Sequence, residues 1–251
     1  MLYIVSTPIG NLEDITLRAI RTLKEVDYIA AEDTRHTKIL LQKYDINTQM
    51  LSYHSYSSDT KLRHIIDLLK EGKNVALVSD AGTPGISDPA YALISAAISE
   101  GIRVSPVPGA SSLLAALVMS GLPMNQFLYL GFLPLKHGRQ TLLKSLADEK
   151  RTIVIFEAPH RLIKTLTNLK EFLGERQIAV CREITKIYEE AFRGTIAEAL
   201  EHFTQKPPKG EFVLVVHSRD LIEMKKDEID EKLKKEASAA KKIGKKDLMD
   251  I

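Results

Sequence analysis

Apolar positions in the first half of the chain follow two alternating rhythms. Short β-rich runs fall at residues 2–6, 27–31, 50–53, 74–79 and 102–107, each about one strand long. Between them the spacing becomes helical: Leu62, Ile65, Ile66 and Leu69 stand at i, i+3, i+4 and i+7, on one face of a helix. This alternation predicts a parallel sheet covered by helices on both sides. Asp88 followed by Pro89 supplies an N-cap and a first-turn proline, so a helix is expected to begin there.

The pattern breaks at Ser120-Gly121-Leu122-Pro123 and then resumes. Strands are expected at 127–131, 152–156, 177–182, 186–192 and 212–217, and helices from about Gly138, over 160–172 and over 195–203. Few helices for so many strands point to a mixed sheet in a second α/β unit. The stripe Leu113-Leu114 and Leu117-Val118 reads as the core face of a helix. The expected domains are 1–120, 121–217 and a Lys-rich, helical tail at 218–251.

With 251 residues, 44% hydrophobic and 27% charged, the chain is long enough for a substantial core and ordinary for a globular protein. Its single cysteine, Cys181, excludes an internal disulfide framework and cannot build a zinc site, and no pair of histidines has metal-ligand spacing. No basic leader with a cleavable apolar segment is visible, and no apolar stretch is long enough to span a bilayer. The expectation is a cytoplasmic protein. The net charge of +2 says little by itself, but residues 231–246 hold seven lysines against two acids, a pattern suited either to a solvated helix or to a polyanion.

Ligands of an open parallel sheet sit at the carboxyl ends of its strands. The loops there read "STPIGNLED", "AEDTRHT", "SDAGTPGISDP" and "PVPGASS". None has the G-x-G-x-x-G or G-x-x-x-x-G-K-[ST] pattern of a phosphate cradle. The glycine-rich third loop instead carries Asp80 and Asp88, which would repel a phosphate by on the order of a few kcal/mol. A cationic, hydroxyl-rich ligand suits it better. S-adenosylmethionine, with a sulfonium, an ammonium, a ribose diol and no phosphate, meets that description. The alternative is that these are plain structural turns, with Asp88 a helix cap.

Together with "YLGFLP", "FEAPHRL", "REITKIYEE" and "KGEFVLVV", these motifs occur in an order that resembles the bacterial small-subunit methyltransferase I family, which methylates ribose 2′-hydroxyls of 16S ribosomal RNA. The resemblance covers residues 2–217. It implies the tetrapyrrole methylase (class III methyltransferase) fold: two α/β domains, the first with a mainly parallel sheet and the second with a mixed one. It also implies S-adenosylmethionine as cofactor, a decoding-centre cytidine in the 30S subunit as substrate, a homodimer, and neither DNA nor membrane as partner. By position, Pro8, Ile9, Asp80, Ala81, Gly82, Thr83, Ala110, Ser111 and Ser112 would line the cofactor from the first domain, and Glu157, Gly210 and Glu211 from the second.

Removing the hydroxyl proton calls for a positioned base. Glu32, Asp33, His36, Glu157 and His160 are candidates, with Asp33 and Arg35 favoured near the chemistry because four polar residues crowd one strand end. Arg35, Arg161 and Lys186 are candidates for RNA phosphates. The competing arrangement pairs Glu32 with Arg35 and makes Asp33 a helix cap. Two other functions fit the fold: a tetrapyrrole C-methylase, and a non-catalytic ribosome-assembly factor.

Overall fold

A computed structural model describes residues 1–54, 59–88 and 90–218. Strands β1 (Leu2–Val5), β2 (Tyr28–Ala31), β3 (Gln49–Ser52), β4 (Val75–Val78) and β5 (Val104–Val107) form one sheet in the order β3-β2-β4-β1-β5, all parallel. Helices α1 (Leu17–Glu25) and α2 (Thr34–Lys43) bury Leu23, Leu40 and Leu41 against Ile29, Ala31, Ala76 and Val78. Helices α3 (Asp59–Lys70) and α4 (Ala90–Ser99) bury Ile65, Ile66, Leu69 and Leu93 against Leu2, Ile4, Ala30, Val75 and Leu77 on the opposite face. Successive residues of β4 thus serve opposite layers, which is why its sequence is apolar throughout. Strands of four residues gain little from pairing alone. Each buried Leu or Ile contributes about 1.5–3 kcal/mol, so the two helix layers hold the sheet.

The second sheet comprises β6 (Phe127–Phe132), β7 (Thr152–Glu157), β8 (Gln177–Arg182), β9 (Glu190–Thr195) and β10 (Phe212–Val216) in the order β6-β7-β10-β8-β9. Only the β6–β7 pair is parallel. One face is covered by α6 (Arg139–Ser145), α7 (Pro159–Leu173) and α8 (Ile196–Gln205), through Leu143, Leu162, Leu166, Leu169 and Phe203. The other is covered by α5 (Ser112–Ser120), whose Ala116 and Leu117 meet Val154, Ala179, Cys181, Val213 and Val215. The chain therefore crosses to the second sheet before the break at Ser120–Pro123, and α5 ends on Gly121 in the left-handed conformation.

Two expectations need correction. The strand expected over 186–192 begins only at Glu190. Glu183 and Thr185 adopt positive φ (50° and 67°), and the bonds Lys186 N to Glu183 O and Glu189 N to Lys186 O, both 3.0 Å, turn the chain instead. The α5 stripe is also only half core: Leu113 and Leu117 pack on the sheet, whereas Leu114 and Val118, one position further round, are 55% and 70% exposed. Pro89 and the Lys-rich tail lie outside the described residues. Among the described residues no helix is long and apolar enough to cross a membrane.

Candidate functional site

The carboxyl edge of the first sheet is cross-linked by its own loops. Thr7 and Gly82 exchange backbone hydrogen bonds of 2.9 and 3.1 Å, and the Ser6 and Thr83 hydroxyls meet at 2.9 Å. Gly82 sits at φ +78°, and a Cβ there would come 3.4 Å from Ile9 and 3.8 Å from the Ala110 carbonyl, so this loop is drawn in close to both neighbours. Asp88 closes the loop: its carboxylate accepts the Gly85 N–H at 2.8 Å and the Ala90 N–H at 3.0 Å, capping α4. Asp88 is thus a cap, as one of the two readings of the sequence held.

Adjacent strand ends place Glu32 and Asp80 side by side. The Asp80 N–H donates to Glu32 Oε2 at 3.4 Å, and the Asp33 N–H donates to Asp80 Oδ1 at 3.0 Å. Burial, then the neighbouring Asp80 charge, raise the Glu32 pKa above its ordinary range. Asp33 is the N-cap of α2, accepting the Arg35 N–H at 2.8 Å, and its carboxylate also takes the Arg35 guanidinium at 2.7 and 3.1 Å. That bidentate bond holds the Asp33 carboxyl well below the usual range. The Arg35 side chain is 90% exposed. The ion pair therefore joins Asp33, rather than Glu32, to Arg35.

The second domain supplies two clusters. At the end of β7, Glu157 is buried. Its carboxylate accepts from the Ala158 N–H (2.9 Å), Arg161 Nε (3.1 Å) and the Thr165 hydroxyl, which in turn accepts from Arg139 Nη2 at 2.8 Å. Arg161 also donates to the Leu133 carbonyl. Its guanidinium is turned inward, so its placement does not match the expectation of a phosphate contact. After β8, Lys186 Nζ lies 2.9 Å from Glu183 Oε1 and 2.8 Å from Glu211 Oε2. Burial opposes a charged Lys186, but the two carboxylates outweigh it and raise its pKa. Glu183 also accepts the Glu211 N–H at 2.9 Å. Two glycines make room for this cluster. A Cβ at Gly10 would come 2.5 Å from Lys186, and one at Gly210 (φ +90°) would come 2.4 Å from the Glu183 carboxylate.

Three cavities open between these loops. One, of about 400 Å³, lies among Pro8, Ile9, His36, Thr37, Leu40 and Lys186. A second, of about 360 Å³, has apolar walls from Phe132, Phe156, Ile184 and Phe212, with Ser112 and Glu157 at its edge. The third, of about 330 Å³, holds Glu32, Asp80, Gly82, Thr83, Asp88 and Ser111. Ile9, Ala81 and Glu211 connect them, and Ser87, joined to the Tyr129 hydroxyl at 2.5 Å, ties the fourth-strand loop to β6. Their sizes fall in the range of small-molecule sites. Carboxylates beside an aromatic wall suit a ligand that joins a cation to a flat heterocycle, so the residues present fit S-adenosylmethionine.

Of the residues singled out in the sequence, the structure gathers Pro8, Ile9, Asp80, Ala81, Gly82, Thr83, Ser111, Ser112, Glu157, Glu211, Glu32 and Lys186 around these cavities. Ala110, Gly210, Asp33, Arg35 and the exposed His160 line none of the three. Sequence reasoning missed Phe132, Phe156 and Glu183. Each sits in a motif that marked its loop ("YLGFLP", "FEAPHRL", "REITKIYEE"), which was the available signal. Among the described residues no three His, Cys, Asp or Glu are grouped to hold a metal ion.

Residues 1–200 match the family described as Tetrapyrrole (Corrin/Porphyrin) Methylases. The Ribosomal RNA small subunit methyltransferase I of Synechocystis sp. is 53% identical over 218 residues, 86% of this chain and 78% of that protein. Its namesake from Thermotoga maritima is 51% identical over 219 residues, 87% of this chain and 99% of that one. Among solved structures, uroporphyrin-III-C-methyltransferase from Thermus thermophilus superposes with a TM-score of 0.62 over 86% of this chain and 93% of its own, at 22% identity, a likeness of fold alone.

Proposed function

Because the chain belongs to the tetrapyrrole methylase family and, within it, to the ribosomal RNA small subunit methyltransferase I family, we propose that it methylates a decoding-centre cytidine of 16S ribosomal RNA on the ribose 2′-hydroxyl. It is an S-adenosylmethionine-dependent ribosomal RNA methyltransferase. The observation that carries the geometric side of this reading is the acid-bearing loop of residues 79–88, which places carboxylates where a phosphate-binding loop would place free amides.

When bound, S-adenosylmethionine supplies an electrophilic methyl on a sulfonium. Asp80 and Glu32 would hold its cationic part, Ser111 and Ser112 offer hydroxyl partners, and Phe132 with Phe156 offers a wall for the adenine. The cavity beside Pro8, Thr37 and Lys186 would take the target nucleoside, and holding it next to the cofactor would supply the orientation the transfer needs. The Asp33–Arg35 pair stands at the rim, where an exposed guanidinium can meet an RNA phosphate. We read the substrate as the 30S particle. We also read the working form as a homodimer, supported by the exposed apolar face of α5.

A tetrapyrrole C-methylase shares the fold, but the neighbours of that activity reach only about 20% identity. The decisive experiment incubates the protein with 30S particles and methyl-labelled S-adenosylmethionine and analyses the nucleosides of 16S RNA. Label in 2′-O-methylcytidine is expected. Label on a base, or no transfer despite cofactor binding, would overturn the reading. Asp33→Ala and Arg35→Ala should bind S-adenosylmethionine in calorimetry yet methylate 30S poorly; full activity in both would remove this pair from the mechanism.

A further inference from the structure

If cofactor and nucleoside occupy separate cavities, the methyl must pass where those cavities meet. Among the described residues, only Ala81 and Glu211 line all three, and of these two Glu211 is the titratable one. Its side chain is 80% exposed.

Its placement is unusually constrained for an exposed side chain. One carboxylate oxygen is held by Lys186 Nζ at 2.8 Å, and Lys186 is held in turn by Glu183 at 2.9 Å. The Glu211 N–H is fixed by Glu183 Oε1 at 2.9 Å. Two non-glycine residues in the left-handed region, Glu183 and Thr185, flank this arrangement, and such strain persists only where the surroundings enforce it. Gly10 and Gly210 leave the space that Lys186 and Glu183 occupy. The Lys186–Glu211 pair, exposed on the Glu211 side, contributes little stability, so the constraint on Glu211 is poorly explained by folding alone.

We infer that Glu211 accepts the proton of the ribose 2′-hydroxyl and that Lys186 is the residue that positions it. As the oxygen–methyl bond forms, the methyl–sulfur bond breaks, the sulfur keeps the electron pair as a neutral thioether, and the 2′-proton moves to a Glu211 oxygen and then to solvent. The inference rests on the 2′-O-methyltransferase reading above and names the base that reading lacks. The ionisable groups facing this region are Lys186 and Glu183 after β8, Asp80 and Asp88 after β4, and Glu32 after β2. His36 and Glu157 stand at the cavity edges.

Single-turnover methylation of 30S particles, measured over a range of particle concentrations, tests the assignment. Glu211→Gln should lower the rate by about 10²–10⁴-fold, the range expected for a lost general base. Binding of S-adenosylhomocysteine by calorimetry, binding of 30S particles on filters, and the melting temperature should stay at wild-type levels. Lys186→Met should lower the single-turnover rate without changing the 30S concentration that half-saturates it, because the carboxylate loses the group that holds it in place, and Lys186→Arg should restore the rate. A Glu211→Gln enzyme that methylates at the wild-type rate, or that fails only in proportion to weakened cofactor binding, would overturn the inference and leave the proposed function standing. A wild-type protein that puts no methyl on 2′-hydroxyls would sink both.

Discussion

Glu157 tests whether this site has been read from the correct side. It ends β7 against the apolar cavity, where its position suits a cofactor ligand, yet its carboxylate faces away into the protein. Three donors converge on it: the Ala158 N–H, Arg161 Nε and the Thr165 hydroxyl. Glu157→Gln keeps the size but replaces one acceptor oxygen with an NH₂ donor, which must then face one of three donors. It also leaves the Arg161 guanidinium, 16% exposed, without its counter-charge. Breaking a buried pair on one side costs about 3–5 kcal/mol. At roughly 2–4 °C per kcal/mol for a chain of this size, the melting temperature should fall by about 6–20 °C. Calorimetric titration of the folded variant below its melting point should give near wild-type affinity for S-adenosylhomocysteine. The opposite pattern, unchanged melting with weakened binding, would refute the reasoning and return Glu157 to the cofactor.

Three further variants probe other links. Gly210→Ala, at φ +90° and with the Glu183 carboxylate 2.4 Å from the new methyl, should lose about 1–3 kcal/mol in urea unfolding and most of the methylation rate; a neutral result would mean that the Glu183–Lys186–Glu211 arrangement is not needed. Glu32 has a raised pKa in the folded state, so its ionisation opposes folding: the stability it contributes is present below its ordinary value of 4.5 and is lost as pH rises through the folded value. Glu32→Gln should therefore raise the melting temperature at about pH 7 and not at about pH 4, and equal shifts at both would contradict this assignment. Val118→Glu on the exposed face of α5 should convert a dimer to a monomer in light scattering, and an unchanged mass would remove that face from the interface.

Much of the fold was legible because parallel strands buried on two sides have a plain signature. The run Val75–Val78 is apolar at every position, and the helices around it repeat at 3.6. The candidate loops were legible for a different reason: Gly82 at positive φ and Asp88 as a cap are chemistry of the backbone, which residue type declares. The start of β9 was not legible. Lys186, Ile187 and Tyr188 read as a strand, and nothing in a β-branched threonine announces that Thr185 is forced to φ +67°. Nor does "PHRL" say that Arg161 turns inward to Glu157 rather than outward to RNA. That choice depends on a carboxylate four residues back, buried only once β7 is paired on both sides.

Acid within the cleft and a polyanionic substrate outside it are compatible only if phosphates stay at the rim. Glu32, Asp80, Asp88 and Glu211 line the cavities, while the exposed Arg35 guanidinium, paired with Asp33, lies outside them. An RNA backbone entering this cleft would meet like charge at short range, a repulsion on the order of a few kcal/mol per contact in a partly buried setting. A single nucleoside, turned out of its strand, carries its ribose inward and leaves its phosphates behind. On the proposed reading, the same carboxylates that would favour a sulfonium would also select the uncharged part of the nucleotide. Methylation should accordingly depend on salt through Arg35 at the rim, while binding of S-adenosylmethionine, if carboxylates inside the cleft hold it as proposed, should respond far less.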